Sequence, residues 1–551
     1  YTGFEWSHVG VTADAHYGHK NVIFTDTEDG QLPTRPIGAP GPADRAMRES
    51  PIPLTTILQI PIREFSRRQR YLNFARYLQS IKRLPMCKKG VPVRELPESC
   101  RERAANPREL FDKLDEWGFE SLVIPHGTTW GFYTPPGYSY DKQLVPAQHD
   151  PERQRLIEVY SGHGNSEEYR SFRAIDDDGE CPEPTPDFEP CCHRAGEIIR
   201  ERCADPSSEE CETKVAEARK NYLVAGIGGH TTVPGTEPHD WKDCGSCRTC
   251  FAPTFQYRPR GSAQYILAKS GNEDPVRMGF IASSDNHSAR PGTGFKEKAR
   301  ARMTEAGGAE SEAWRNRILG DPLPPKPESI SFTREELMKL PPFRLIEIER
   351  QASFFMTGGL VAAHTSGRDR GAIWSSLRRR EVYGTSGERM LLWFDLITDD
   401  GRTYPMGSEV ELSKPPRFRA RAMGAFEQRD GCPAWVEDTI GAERVERLCA
   451  GQCYFPSDVR RKLERIEVVR IRPQRDSTES LENLIEDPWK TFECPDDGDE
   501  CVFEFEDPDF ARNAIYYVRA LQEPSLAVNA DPTRCERDSS GACVKARMCY
   551  S

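Results

Sequence analysis

The chain has 551 residues, with 87 Asp and Glu against 75 Lys and Arg, for a formal net charge of -12. That balance argues against a nucleic-acid-binding surface as the main business of the protein. No apolar run approaches the roughly 18 residues needed to span a bilayer, and the length allows two or three domains.

Nothing at the N-terminus reads as a signal peptide. The chain starts abruptly at Tyr1-Thr-Gly-Phe-Glu-Trp6, which reads as the inside of a domain. The 18 cysteines cluster in polar, Pro-rich loops. Cys87/Cys100, Cys203/Cys211, Cys494/Cys501 and Cys535/Cys543 are close enough in sequence for short-loop disulfides. An even count in such loops points to a disulfide framework and an oxidising compartment. The competing reading is a structural zinc at Cys244, Cys247 and Cys250, joined by Cys191, Cys192 or His193. Connectivity is not readable from sequence.

In chain order, Gly3-Phe-Glu-Trp and His19-Lys-Asn-Val-Ile-Phe24 read as strand segments, which places Glu5 and His19 on or beside strands. His8 and His16 fall between them. Residues 31–55 look like an exposed loop, and 63–83 like a basic amphipathic helix. Asn106 and Pro107 start a helix that runs to Gly118. Ser121-Leu-Val-Ile-Pro125 is then a buried strand, with His126 at its C-terminal end. Leu156 to Tyr160 is a further strand, followed by His163 between two glycines, where the backbone can approach a ligand closely. Glu158 and Glu167 are secondary candidates near it.

Residues 171–260 break the pattern. They are acidic and Pro-rich, carry eight cysteines, and hold helix candidates at 194–202 and 209–221. They read as an insertion. A helix at 263–269 leads into Gly279-Phe-Ile-Ala-Ser283, a buried strand with Asp285 and His287 beyond it. The alternation of an extended segment puts these two side chains on one side, where a carboxylate and an imidazole suit Zn, Mn or Fe. Arg290 and Lys296 among glycines suit an anionic oxygen ligand such as phosphate. From 390 onward short strands alternate with turn residues, which predicts a β-sandwich-like domain.

The motifs Gly3-Phe-Glu-Trp, His19-Lys-Asn-Val-Ile-Phe, Ile124-Pro-His-Gly, Glu158-Val-Tyr-Ser-Gly-His-Gly, Ser284-Asp-Asn-His and Arg379-Arg-Glu-Val-Tyr-Gly-Thr-Ser-Gly-Glu-Arg389 together resemble the polymerase and histidinol phosphatase (PHP) superfamily. More closely, the chain resembles its secreted branch called domain of unknown function 3604. The resemblance implies an α/β fold, a distorted (β/α)7 barrel with a Cys-rich insertion and a C-terminal β-sandwich-like domain. The expected boundaries are 1–170 for the first part of the barrel, 171–260 for the insertion and 261–389 for the second part. The β domain would cover 390–530 and a Cys-containing tail 531–551.

The resemblance further implies two or three divalent transition metals (Zn, Mn or Fe) held by Glu5, His19, His126, His163, Asp285 and His287. Glu5, His126 and Asp285 would be catalytic, with Arg290 as a substrate contact. The implied activity is hydrolysis of a small anionic, phosphoester-type substrate by metal-activated water, in the periplasm or at the surface of a bacterium. The alternative is a non-catalytic secreted or cell-surface binding protein on a degenerate barrel. The superfamily opens with a strand bearing His-x-His, which this sequence lacks. An N-terminal fragment or partner chain is therefore expected to complete the barrel.

Overall fold

The computed structural model describes residues 1–41, 65, 68–236, 238–242, 244–271, 275–285, 324–332, 336, 358–449, 451–496, 498–524, 533–537 and 543–548. The chain divides into two compact units. One is Tyr1–His126 with Lys142–Arg155, and the other is Gly127–Asp141 with Leu156–Ser551.

In the first unit, β1 (Thr2–His8), β2 (Gly18–Phe24) and β3 (Ser121–His126) form an antiparallel sheet in that order. Helices α1 (Arg68–Arg83) and α2 (Pro107–Trp117) belong to the same unit. The start of α2 is set locally: the Asn106 side chain accepts from the Glu109 amide and Pro107 occupies the first turn. Its end is set by Gly118 in the left-handed region, whose amide donates to the Leu114 carbonyl. Leu110, Phe111, Leu114 and Trp117 recur at helical spacing and pack with Trp6, Val22, Phe24 and Val123. The sheet thus has one face on this core. Period-two alternation sends Glu5, His19 and His126 to the opposite face.

In the second unit, β4 (Leu156–Ser161) precedes the cysteine-rich helices α3 (Cys191–Arg202) and α4 (Glu209–Ala225). Helix α5 (Ala263–Lys269) then leads to β5 (Gly279–Ala282), which pairs in parallel with β4. Strand β6 (Leu360–Ala363), helix α6 (Arg370–Arg379) and β7 (Val382–Thr385) follow, with β6 and β7 antiparallel. The C-terminal strands include β8 (Leu391–Ile397), β9 (Thr403–Pro405), β10 (Arg417–Met423), β11 (Leu463–Ile471), β12 (Ile485–Glu493), β13 (Glu500–Glu506) and β14 (Ile515–Gln522). They make one sheet of order β9-β8-β10-β13 and another of order β12-β11-β14. Phe394, Phe418 and Phe505 from the first share a core with Ile466, Val468 and Val518 from the second. Along β10, Phe418, Ala420 and Ala422 are buried while Arg417 and Arg419 are exposed, with Arg419 paired to Glu504 across the sheet at 2.6 Å.

The (β/α)7 barrel implied by the resemblance is not what the chain builds. Among the described residues no sheet closes on itself, none exceeds four strands, and most pairings are antiparallel. The reason is visible at β1 and β2. Only residues 9–17 join them, whereas a parallel crossover takes a dozen or more residues, so the chain turns back as a hairpin. Strand β3 does follow a helix, but it adds to the edge of β2 antiparallel.

The short-loop disulfides Cys87–Cys100, Cys203–Cys211 and Cys494–Cys501 are present. Cys181–Cys192, Cys191–Cys244, Cys247–Cys250 and Cys432–Cys453 are bonded as well. The cysteines considered for a zinc cluster, Cys244, Cys247 and Cys250, are therefore all in disulfides. The Cys535 and Cys543 side chains lie outside the described residues. This density of disulfides fits a secreted or extracellular protein. Among the described residues no helix is long and apolar enough to cross a membrane.

Candidate metal centre

Three of the expected ligands come together on the sheet of the first unit. In the β1–β2 register Ser7 faces His19, and in the β2–β3 register His19 faces His126. Glu5 is two residues from Ser7 and so projects from the same face. Glu5 Oε1 lies 2.7 Å from His19 Nδ1 and 3.2 Å from His126 Nε2. The two imidazoles meet edge to face with centroids 5.5 Å apart. One ligand atom from each residue lies within 4.8 Å of the others, close enough for a single cation. His126 is buried and His19 nearly so, while Glu5 keeps partial access to solvent. Burial by itself would raise the Glu5 carboxyl. The charges of His19 and His126 and their hydrogen bonds outweigh burial and hold it well below the ordinary carboxylate range.

The two other histidines of this segment do different work. His8 Nδ1 accepts from the Tyr17 amide at 3.3 Å, and His16 Nδ1 accepts from the Gly10 amide at 3.2 Å. They fasten the 9–17 connection. Burial, assisted by nearby cations, pushes His8 down to about 4 and His16 down to about 2, so both are neutral acceptors at neutral pH. Lys20, on the core face of β2, is fully buried. Its ammonium donates to the Tyr17 carbonyl at 2.8 Å and to Gln143 at 2.7 Å.

The second unit holds the next pair. His163 is almost fully buried, and its Nδ1 lies 2.9 Å from Asp285 Oδ2. Trp130 stacks on the His163 ring with centroids 3.7 Å apart, which fixes the plane of the imidazole. Asp285 has φ of 46°, a left-handed conformation that is uncommon for a residue with a side chain. Strain of this kind persists where surrounding contacts enforce it. Here the Asp285 amide donates to Ser283 Oγ at 3.2 Å, and that hydroxyl donates to buried Glu158 at 2.5 Å. The Gly162 amide donates to the Ser284 carbonyl at 3.2 Å, tying the two strand ends together.

Of the expected site residues, Glu5, His19 and His126 form one group, and His163 and Asp285 the other. His287 and Arg290 lie outside the described residues, as does Lys296. Glu158 supports the Asp285 turn through Ser283. Glu167 instead accepts from Tyr517 at 2.7 Å and pairs with Arg519 at 2.7 Å, in a network with Asp487 and Glu467. The sequence reading missed Trp130 and Ser283. Trp130 lies four residues after His126, yet nothing local signals a stack on a residue 33 positions later. Ser283 could have been found, since a serine two residues before a turn Asp is a common backbone-capping partner.

No curated protein and no solved structure matches this chain. Residues 264–395, which include α5, β5, the Ser283–Asp285 turn and β6 to the start of β8, match the family model described as "Protein of unknown function (DUF3604)".

Proposed function

We propose that this protein is a metal-dependent hydrolase acting on phosphoester-type substrates. The observation that carries the reading is the convergence of Glu5, His19 and His126 on one point of a rigid sheet. One carboxylate and two imidazoles form a donor set suited to Zn, Mn or Fe. The carboxylate is held anionic, which is the form a cation requires. A bound divalent metal would supply Lewis acidity, lowering the pKa of water and offsetting charge on a phosphoryl group.

The chain's own contribution is positional. Strand pairing fixes the two histidines opposite each other, and α2 with its apolar stripe backs the sheet from behind. In the second unit Asp285 Oδ2 lies 2.9 Å from His163 Nδ1, which leaves Nε2 as the atom able to ligate or to hold a proton. Trp130 keeps that ring from turning. Small anionic substrates follow from the resemblance, as do two or three metals. The seven disulfides among the described residues support an oxidising location, periplasmic or at the cell surface.

The test is a panel of chromogenic phosphomonoesters and phosphodiesters with protein loaded with Zn, Mn or Fe. The expected result is turnover that falls at least 100-fold in Glu5→Gln, His126→Ala and Asp285→Asn. Absence of turnover on the whole panel by metal-loaded protein, or variants as fast as wild type, overturns the reading. A second reading, a secreted binding protein, draws on Trp435, 67% exposed on the excursion closed by Cys432–Cys453. Isolation of a stable protein partner lost on Trp435→Ala, with no turnover, would favour it.

A further inference from the structure

The disulfide Cys191–Cys244 is built beside a histidine. His230, in the turn Gly226–Thr232, offers a ring nitrogen within 4.8 Å of both sulfurs. We propose that Cys191, Cys244 and His230 form a thiol-gated divalent-metal site, closed while the two cysteines are bonded and able to take Zn2+ once they are reduced.

Four observations carry this. First, among the described residues His230 makes no hydrogen bond, although its ring packs against Trp241 with centroids 4.2 Å apart and against Tyr222 at 5.6 Å. A polar ring in such surroundings ordinarily has a partner. Second, the Tyr222 hydroxyl is also buried without a hydrogen bond. Its ring end lies against the same turn: a Cβ on Gly229 would come within 2.7 Å of Tyr222 Cζ. One buried polar group is thus left unsatisfied against the turn that carries His230. Third, Cys191 opens α3, a helix of 12 residues. The positive end of a helix dipole favours a thiolate over a thiol. Fourth, the Cys191 and Cys244 Cα atoms are only 4.9 Å apart, so both sulfurs can face one ion without moving the backbone far.

The charge balance also fits. Two thiolates neutralise a divalent cation, and His230 binds as a neutral ring. A complex with no net charge suits a cluster whose other members are Ile198, Ile199, Val215 and Val233. With three protein ligands, one position of a tetrahedral ion stays open to water or an external ligand.

The opening step is a thiol–disulfide exchange with an external dithiol. The dithiol is oxidised to its disulfide, while Cys191 and Cys244 each gain one electron and one proton. Metal binding then displaces the two thiol protons to solvent. This site shares no residue with the Glu5 group, so it stands or falls independently of the hydrolase reading.

The experiment uses the full chain, reduced stepwise with a phosphine under anaerobic conditions. Differential alkylation and mass mapping report which disulfide has opened, and Co2+ is the probe. Thiolate-to-cobalt charge-transfer absorption reports only sulfur ligation, which the Glu5 group cannot give. The expected result is a band that grows in step with opening of Cys191–Cys244 and saturates at one Co2+, with Zn2+ displacing it. Cys191→Ser/Cys244→Ser should abolish the band, Cys247→Ser/Cys250→Ser should keep it, and His230→Ala should weaken Co2+ at least tenfold. Three results would overturn the proposal: opening of Cys191–Cys244 without a band, a band that survives Cys191→Ser/Cys244→Ser, or opening only with loss of far-ultraviolet dichroism.

Discussion

Leu114→Ala tests how the core behind the sheet supports the metal centre. Leu114 lies on α2, fully buried, in the cluster with Trp6, Val22 and Val123. The substitution removes three carbons, worth about 2.4 kcal/mol at about 0.8 kcal/mol per buried methylene. A residual void of roughly 50 Å3 adds about 1.2 kcal/mol at about 24 cal/mol per Å3. The total, about 3.6 kcal/mol, lies within the roughly 3–5 kcal/mol found for buried leucines. For a unit of this size 1 kcal/mol moves Tm by about 3 °C, so the transition should fall by about 10 °C. Zinc acts on the same unit in the opposite sense. At a free concentration 100 times its Kd it should restore about 2.7 kcal/mol, or about 8 °C. Differential scanning calorimetry of wild type and variant, each with and without Zn2+, reads both effects. A fall of less than about 3 °C would refute the packing argument. Zinc that leaves the Leu114→Ala transition unmoved would refute the placement of the ligands in that unit.

Other expectations concern the second unit. The Glu168 carboxyl is pushed up to about 7, first by burial and then by the charge of Glu167, against 4.5 in the unfolded chain. A raised value means that the fold holds this proton more tightly than the unfolded chain does. Its contribution is complete below pH 4.5 and is lost as pH rises through about 7. Glu168→Gln should therefore gain stability relative to wild type across that interval, and parallel urea midpoints from pH 4.5 to 7 would contradict this. Tyr517→Phe removes a donor to Glu167 and an acceptor for Gln264, both at 2.7 Å, and should cost about 1–3 kcal/mol in urea denaturation. Gly384→Ala would place a Cβ 2.9 Å from Ala282 Cβ and from the Ala282 amide, where β7 lies against β5. It should destabilise by about 1–3 kcal/mol, and a neutral result would mean that the two strands part without cost.

Much of the local structure was legible. Helix α2 announced itself through Asn106, Pro107 and Gly118, and α5 occupies the 263–269 span set by its apolar run. Strands β8, β10, β11, β13 and β14 lie where alternation put them, because a strand with one buried face writes a period of two into its sequence, whereas β9 and β12 were not picked out. Glu5, His19 and His126 were legible as strand-borne ligand candidates for the same reason. The direction of pairing was not. A strand after a helix looks the same whether it joins its neighbour parallel or antiparallel, and the barrel was implied by the resemblance alone. The nine-residue connection between β1 and β2 held the contrary signal, since it is too short for a crossover. The contact of His163 with Asp285 was not legible either. It depends on parallel pairing of β4 with β5 across more than a hundred residues, and on a backbone conformation at Asp285 that no local pattern demands.

The central claim is that Glu5, His19 and His126 hold a metal ion, and calorimetric titration of chelator-stripped, fully oxidised protein with Zn2+ tests it most directly. Keeping the disulfides closed withholds the Cys191 and Cys244 sulfurs from the ion. The account predicts saturable binding that His126→Ala abolishes and Glu5→Gln weakens by at least tenfold. Binding no tighter than to a histidine-free control protein, or binding unchanged in His126→Ala, would contradict it.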